Sequence, residues 1–518
     1  MPEALLRAWL ADPRAPRLCL VPALPAVTLP GVTWLSLAGH GVPGAVWALA
    51  NTLGVAARTP GELLSALLAD GRRRVLALPG LADAEDPKGL AELVLALADL
   101  GCLRLLVESP APLTARLSQG PAVLLEELEE AHWPDDDDFT SLTDEPEPPA
   151  ATEPVPAATE PAPAPAAVEP EAPALPPPPP PAPLPPLDLD DPYAVCAADP
   201  KRVTVGYDRD GAAHGGLGRA WVRAGQAVTR EVPVAVRAFT LLTALGEEAD
   251  AGLRAALTDL AGDGPWRLVA SRVKGDRTPP WPGPAAALTI TPGGRLLLAD
   301  DLGTVHPLHA ADATPAGEPA ATSVRPRSLA ALGDGTLLLL DERGRLRTER
   351  GPGNRLTRAV ADTLAQHPGS AFAAAAGPLL VGDRMGSVHV FGTEGVHQAA
   401  LHAGRVTALA SVDEPVPMAC SGGADGAVRT WTPGCTPRPA PVAERDCAVV
   451  ALAAAPGADG PNLLVAWADG LVELYRSGGP GPEPLRFRPG PPVRSLALTA
   501  DGTAVVGTDE SLTLLRPA

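Results

Sequence analysis

The chain has 518 residues, 46% of them hydrophobic, so it is long enough for two or three domains with sizeable cores. Its formal net charge is -20, and 14 acidic residues with no Lys or Arg lie between positions 134 and 192. Such a chain is unlike nucleic-acid-binding proteins, which need a surface rich in Lys and Arg to bind phosphates, so we expect no nucleic-acid partner.

Residues 1–133 alternate short apolar segments with amphipathic ones. Strands are predicted at 17–23, 31–39, 73–80 and 103–109, and helices at 42–55, 59–71, 86–101 and 121–133. Thr59 is a predicted helix N-cap, and Gly71 a predicted helix end. This alternation predicts a three-layer α/β domain in which helices cover a parallel sheet.

Residues 134–192 are rich in Pro, Ala, Asp and Glu. Such a composition buries too little apolar surface to offset the entropy of ordering, so we expect a disordered linker that is partly polyproline II. The preferred interpretation is a spacer, although LPPPPPPAPLPP also fits a groove that recognises proline. The acidic run at 135–138 lacks the glycine turn of a cation loop and is interpreted as solvated charge.

Residues 193–262 have apolar positions at three- and four-residue spacing. The pattern predicts helices within 216–230, 232–246 and 247–264, and hence a small helical module. Trp221 falls on one predicted helix and is interpreted as a core residue.

From residue 263 to 518 the pattern changes to short strands separated by glycine turns. Turn glycines recur at 303, 344, 386, 426 and 470, with spacings of 41, 42, 40 and 44 residues. A period of 40 to 45 residues with about four short strands indicates β-propeller blades, here about six. The last unit has three strands, and we expect residues 266–275 to supply its outer strand and close the ring.

The fourth unit contains His402 before its first strand, Ser421 in the second, Asp425 in the tight turn and Trp431 in the third. In this arrangement it resembles a WD repeat. The resemblance implies a buried chain of hydrogen bonds from Trp431 to Ser421, His402 and Asp425. Such a chain stabilises the turn when each member has a partner, so His402 is interpreted as structural rather than catalytic.

The first domain resembles the nucleotide-binding domain of STAND-type P-loop NTPases, especially actinobacterial chains that end in WD repeats. The resemblance covers residues 1 to about 130. On the family's second motif, Pro79 stands in place of the metal-binding Asp, Ala82 replaces the next acid, and Asp83 falls where an acid would activate water. The resemblance therefore implies a degenerate site.

The phosphate loop of that family, GxxxxGK[ST], does not occur in this sequence. Residues 4–16 resemble the end of the helix that follows such a loop, which would place the loop ahead of residue 4. Two separate losses favour a pseudo-NTPase that binds no cofactor.

Other catalytic patterns are missing from the sequence. It contains no GxSxG motif, and its six cysteines form no CxxC pair, so neither zinc nor a disulfide framework is expected. His306 and His309 lack accompanying carboxylates or cysteines and are weak metal candidates. We therefore predict no metal, no cofactor and no enzymatic activity.

The N-terminus lacks the charged start and apolar core of a signal peptide, and no run reaches about 18 apolar residues. We expect a cytoplasmic protein whose cysteines are buried, reduced thiols, and we expect no membrane partner. With 38 arginines, three lysines and abundant Ala, Gly and Pro, the composition is typical of a GC-rich bacterial genome.

The first functional hypothesis is a non-catalytic scaffold or sensor that binds proteins on the propeller faces, in a bacterial signalling or defence assembly. The alternative is a nucleotide-binding STAND-type NTPase whose phosphate loop comes from a partner or from upstream sequence. An enzyme built on the propeller is a third reading, and it lacks convergent acids, bases or metal ligands in the sequence.

Overall fold

A computed structural model provides the structure of the protein. It describes residues 3–12, 14–22, 24, 30–109, 117, 122–124, 186–374, 377–413, 416–477 and 483–518. The segments Met1–Leu124 and Leu187–Ala518 form one compact unit. Apart from its last residues, the predicted linker lies outside the described residues.

The N-terminal region is an α/β layer structure. Its helices are α1 (Glu3–Ala11), α2 (Val42–Leu53), α3 (Pro60–Asp70) and α4 (Pro87–Ala98); its strands are β1 (Leu18–Val21), β2 (Val32–Trp34), β3 (Arg74–Leu78), β4 (Leu103–Glu108) and β5 (Ala122–Leu124). The sheet has the order β2-β3-β4-β1-β5, and every neighbouring pair is parallel. The predicted parallel sheet is confirmed. Thr59 caps α3 by accepting from the Glu62 N–H, and Gly71 ends the helix with a left-handed backbone.

One predicted helix is wrong at its start. Residues 121–133 were expected to be helical, but Ala122–Leu124 form β5, which pairs in parallel with β1 from Leu18 to Leu20. A short apolar run cannot be assigned to helix or strand by periodicity alone. Here the backbone of β1 gains a second hydrogen-bonded neighbour, so pairing with the sheet prevails.

The helical module contains five α-helices in the described part of the chain: α5 (Pro192–Ala197), α6 (Pro200–Arg209), α7 (Leu217–Ala224), α8 (Val234–Ala244) and α9 (Ala251–Ala261). The last three confirm the predicted helices. The first two were not predicted, although both begin with an Asp N-cap before Pro, at Asp191 and Asp199. No described helix is long and apolar enough to cross a membrane.

The helical module and the α/β layers share one hydrophobic core. Trp47 on α2 and Trp221 on α7 are both buried in it. The buried amide of Gln226 joins the two parts: its Nε2 donates to the Val55 carbonyl at 2.7 Å, and its Oε1 accepts from the Ala57 N–H at 3.0 Å. Burial of Trp221 confirms its interpretation as a core residue.

The C-terminal region is a six-bladed β-propeller. Its strands are β6 (Trp266–Val273), β7 (Ala287–Ile290), β8 (Arg295–Ala299), β9 (Thr304–His309), β10 (Ala320–Ala321), β11 (Pro326–Ala331), β12 (Leu337–Asp341), β13 (Leu346–Arg350), β14 (Ala371–Ala374), β15 (Leu379–Gly382), β16 (Ser387–Gly392), β17 (Gly395–Ala400), β18 (Val406–Val412), β19 (Met418–Gly423), β20 (Ala427–Trp431), β21 (Ala443–Glu444), β22 (Val449–Pro456), β23 (Pro461–Trp467), β24 (Val472–Tyr475), β25 (Leu485–Phe487), β26 (Val493–Leu498), β27 (Ala504–Thr508) and β28 (Ser511–Pro517). Blades 1 to 6 begin with β7, β11, β14, β18, β22 and β26, and these inner strands contact one another around a closed ring.

The ring closes through a strand from the other end of the region. In blade 6, β28 pairs antiparallel with β6, from Ser511 opposite Val273 to Pro517 opposite Trp266. This confirms the closure predicted from the sequence. Each chain end of the propeller therefore depends on the other for its hydrogen-bonded neighbour.

Blade 2 departs from the four-stranded pattern. It has three strands, and the chain then forms helix α10 (Arg355–Gln366) before blade 3. A capping box between Asn354 and Thr357 starts this helix. Val360 and Leu364 are buried in the core between blades 2 and 3, where α10 packs against the sheet edge. The period of the turn glycines did not reveal this substitution.

Candidate interaction site at the channel mouth

The polar chain of blade 4 is assembled around His402. Its Nδ1 lies 3.0 Å from Asp425 Oδ1, and its Nε2 lies 2.9 Å from Ser421 Oγ. The second carboxylate oxygen of Asp425 accepts from the Ala403 N–H at 2.9 Å. The side chain of His402 is fully buried, so the chain fixes the loop before β18 to the turn between β19 and β20.

Trp431 does not join this chain as the WD resemblance implied. Its indole Nε1 donates to the Cys435 carbonyl at 2.8 Å. On the ladder Trp431 lies opposite Ala419, whereas Ser421 lies opposite Arg429. The indole is thus displaced along the strand from the Ser421 hydroxyl and reaches the turn that follows β20 instead.

Burial sets the protonation of this chain. Burial lowers the pKa of His402, against the opposing effect of the Asp425 carboxylate. Burial alone would raise the pKa of Asp425, but hydrogen bonds from Ala403, Ala427 and His402 keep it below its usual value. A neutral imidazole that donates to Asp425 and accepts from Ser421 satisfies all three side chains. The arrangement is that of a structural chain.

Blades 1 to 3 use a different turn that sequence reasoning missed. Asp300, Asp341 and Asp383 each precede the turn glycine by three residues and accept backbone N–H groups of their own turn. A histidine or arginine three residues after the glycine faces each carboxylate: His306 Nε2 at 3.0 Å, Arg347 Nε at 3.6 Å and His389 Nε2 at 3.0 Å. The signal was available as the repeated pattern D-x-x-G-x-x-H/R. It gives His306 a structural partner.

In blade 5 an arginine stands in place of the histidine of the His–Asp pair. Arg445 lies four residues before β22, as His402 does before β18, and its Nη2 lies 2.8 Å from Asp469 Oδ2. Arg488 Nη2 binds the same oxygen at 2.8 Å. Burial alone would raise the pKa of Asp469, but the charges of Arg488 and Arg445 leave it lowered. The turn glycine of blade 5, Gly470, contacts the α/β layers at Ala56.

A cavity of about 2090 Å³ joins the propeller channel to the α/β layers. Its wall comes from the inner strands of all six blades, and its roof includes residues 59–72 on and beside α3. The roof is attached to blades 5 and 6: the Ala56 N–H donates to the Ala468 carbonyl at 2.9 Å, and Arg58 forms an ion pair with Glu510. The α/β layers therefore cover part of one mouth of the channel.

The carboxyl ends of parallel strands are where α/β sheets bind ligands, at the point where chain connections diverge. In this sheet the connection from β1 runs to β2 at one edge, whereas the connection from β4 runs to β5 on the other side of β1. The two connections diverge between the ends of β1 and β4, at Val21 and Ser109. The Ser109 N–H donates to the Val21 carbonyl at 3.0 Å. The connection that follows β1, residues 22–31, has the sequence PALPAVTLPG, which contains no Lys.

The structure places the three residues of the second motif after β3. The Pro79 carbonyl accepts from the Leu37 N–H at 2.8 Å, and the Asp83 carbonyl accepts from the Gly39 N–H at 2.7 Å. The side chains of Ala82 and Asp83 are exposed. The loops after β2 and β3 are thus bound to each other by their backbones.

Helix α6 covers these loops. A Cβ added at Gly39 would lie 3.3 Å from Lys201 Cε, one at Gly41 would lie 3.0 Å from Asp208 Oδ2, and one at Gly44 would lie 3.6 Å from Thr204 Cγ2. Arg209 on the same helix forms an ion pair with Glu85. The G-x-G-x-x-G spacing of residues 39–44, between β2 and α2, was not noticed in the sequence. In the fold this loop is in contact with the chain's own helix.

Reactive groups are few in the described part of the chain. No group of three His, Cys, Asp or Glu side chains there is arranged to hold a metal. Burial raises the pKa of Cys19 and Cys420 to about 12 and that of Cys196 to about 11. These thiols are poor nucleophiles at neutral pH. Cys435, by contrast, is exposed.

No protein-family model matches the chain, and no curated protein matches it. Among solved structures it is similar to the RRP9 WD40 repeats (14% identity, 48% of this chain and 100% of that chain, TM-score 0.34). It is likewise similar to U3-55K (14%, 48% and 98%, 0.33). A third is the β-propeller domain of Cps50 (Swd1) from Myceliophteria thermophila (14%, 45% and 83%, 0.29). These low values concern the fold alone; the six blades are established by the strand pairing.

Proposed function

We propose that the protein is a non-catalytic interaction scaffold or sensor in which a pseudo-NTPase domain is joined to a WD-like propeller. The observation that carries the proposal is the contrast between two ligand-binding positions of the fold. The loop after β2, at the carboxyl edge of the parallel sheet, is in contact with α6, whereas the channel mouth keeps a cavity of about 2090 Å³. Loops on a rigid frame around such a mouth suit partner binding.

The degenerate nucleotide site supports the non-catalytic part of the proposal. Phosphate binding at a helix N-terminus needs free backbone N–H groups and is strengthened by a lysine. Residues 22–31 contain no lysine, and Pro79 cannot ligate a metal. From the STAND likeness we propose a role in a bacterial signalling or defence assembly, with partners on the propeller faces.

Nucleotide binding tests this proposal directly. Full-length protein titrated with a fluorescent ATP analogue and Mg²⁺ is expected to show no saturable signal, because residues 22–31 offer no lysine to the phosphates and Pro79 offers no side-chain ligand to the metal. Saturable, Mg²⁺-dependent binding in the micromolar range would refute the pseudo-NTPase and restore the alternative of a nucleotide-binding STAND-type protein. A known ATP-binding protein in the same buffer controls for the activity of the probe.

The scaffold role is tested by affinity purification of the full chain from its host, followed by mass spectrometry. A fragment ending at residue 192 is a poor comparison, because it lacks the half of the shared core that contains Trp221 and Gln226. The better comparison is the full-length protein with substitutions at the channel mouth. Partners that bind the intact protein and are lost with the altered mouth support the scaffold; the absence of any stable partner contradicts it.

A further inference from the structure

The mouth of the channel has an arginine cluster over blades 2 to 4. Arg327 lies on β11, Arg384 lies in the turn between β15 and β16, and Arg405 immediately precedes β18. All three are exposed, and Arg327 and Arg405 line the cavity together with Arg325. Burial and the like charges of Arg327 and Arg384 lower the pKa of Arg405.

Nothing in the described structure neutralises this arginine cluster. Within the described part of the chain, no ion pair or side-chain hydrogen bond joins Arg327, Arg384 or Arg405 to a carboxylate. Three like charges held together gain from an anionic ligand, and guanidinium groups bind carboxylates and phosphates in bidentate geometry.

Several acidic groups around the same cavity already have cationic partners. Glu62 on the roof pairs with Arg58, and Asp70 pairs with Arg72 and Arg74. Asp509 is similarly paired with Arg494, whereas Asp425 is hydrogen-bonded to the neutral imidazole of His402. Asp301, Glu342, Glu444 and Asp446 also line the cavity. Around Arg405 the neighbouring charges are those of Arg327 and Arg384, so the positive charge is local to the arginine cluster.

An apolar collar lies beneath the arginines. The inner strand of each blade contributes at least one large apolar residue to the cavity wall, and six of these have small exposed fractions: Leu288, Leu329, Phe372, Leu409, Leu452 and Leu496. Each of the six residues has a ladder partner on the second strand of its own blade, so the six lie at comparable positions around the ring. A ligand that enters the mouth thus meets positive charge first and apolar side chains below it.

We infer that the cavity between α3 and the propeller is a binding site for an acidic peptide segment, with carboxylates on Arg327, Arg384 and Arg405 and an apolar side chain on the collar. The inference rests on the proposed function, since it specifies the chemistry of the partner that the scaffold would bind. The site is composite: the α/β layers supply the roof, and the propeller supplies the charge and the collar.

Fluorescence polarisation with labelled peptides tests the inference on the full chain. The probe is a fluorescein-labelled EELLEE peptide flanked by glycines, compared with QQLLQQ and EESSEE versions. We expect saturable binding of EELLEE that weakens with salt, at least tenfold weaker binding of the other two peptides, and at least tenfold weaker binding to R327E/R405E. The matched control is R350E, an exposed arginine on β13 outside the cavity, which should bind normally. Thermal unfolding checks that both variants remain folded.

The other outcomes are equally informative. Tighter binding of a phosphoserine version, lost in R327E/R405E, would support the site and identify phosphate as the anion. Equal binding of EELLEE and QQLLQQ, equal loss in R350E, or no saturable binding at all would overturn the inference. So would binding of a 12-nucleotide single-stranded DNA with the same sensitivity to R327E/R405E, because the surface would then be a general polyanion patch. Host partners retained by R327E/R405E would leave the scaffold standing while the acidic-peptide site fails.

Discussion

At the scale of single residues, His402 is a buried polar side chain of the propeller with both ring nitrogens hydrogen-bonded. Its two ring nitrogens join Ser421 to Asp425 inside blade 4, and burial lowers its pKa. A buried polar group left without its partner costs more than the hydrogen bond gains. The stability of the blade therefore depends on the three side chains together.

We predict that His402→Ala lowers the unfolding free energy by about 2–3 kcal/mol, because it leaves the buried Ser421 hydroxyl without its acceptor and Asp425 with backbone N–H donors alone. Adding Ser421→Ala to this variant should cost less than Ser421→Ala alone, since the hydroxyl has then already lost its acceptor. Urea denaturation of both single variants and of the double variant measures the coupling.

The control for this cycle is His397→Ala, because His397 is an exposed histidine on β17. It should change the unfolding free energy by no more than about 0.5 kcal/mol. Strictly additive effects of the His402 and Ser421 substitutions would contradict the buried chain.

At the scale of elements, the propeller depends on β6. This strand is distant in sequence from β28, yet it supplies the fourth strand of blade 6. At its start Trp266 is buried against residues of blades 5 and 6, and its Nε1 donates to the Arg486 carbonyl at 2.9 Å. The indole thus joins the closing strand to the preceding blade.

Trp266→Ala is expected to cost about 3–5 kcal/mol of unfolding free energy, because it leaves a large cavity and an unpaired carbonyl at the closure. The matched control on the same strand is Val269→Ala, at a side chain that is 36% exposed, which should cost less than about 1 kcal/mol. Hydrogen exchange read at β28 should increase in the tryptophan variant alone. Equal effects of the two substitutions would show that β6 does not hold the ring closed.

At the scale of the whole molecule, three regions that differ in sequence pattern form one compact unit. The rings of Phe239 on α8 and Phe487 on β25 make an edge contact with centroids 6.0 Å apart. Close by, Gly490 has a backbone φ of +104° and lies against α7, where an added Cβ would be 2.2 Å from the Ala224 carbonyl oxygen. At Gly490 the backbone of the propeller therefore packs directly against the backbone of the helical module, with no room for a side chain between them.

We predict that Gly490→Ala separates the helical module from the propeller. Gly502→Ala is the matched control: its φ of +83° carries a similar backbone strain, but nothing lies within 4 Å of its added Cβ. The control should cost about 1–2 kcal/mol from strain alone, and Gly490→Ala clearly more. Calorimetry should show a second unfolding transition only for Gly490→Ala; a single transition in both variants would contradict the prediction.

Much of the propeller could be predicted because its signals are local. The turn glycines set the period, and the closure by residues 266–275 followed from an incomplete last unit. His402, Ser421 and Asp425 could be grouped from the resemblance to a WD repeat. Trp431 could not be placed correctly, because its partner depends on ladder register, which the motif spacing does not specify.

The sequence by itself determined the change from helix-strand alternation to glycine-turn repeats, and the lack of a GxxxxGK[ST] motif. Those features depend on residue type and on spacing within a few turns of chain. Only the tertiary structure decided that α6 covers the loop at residues 39–44 and that α3 roofs the channel. It also brought Arg327, Arg384 and Arg405 together. Such contacts join residues from separate elements and arise when buried surfaces pack, so no local pattern encodes them.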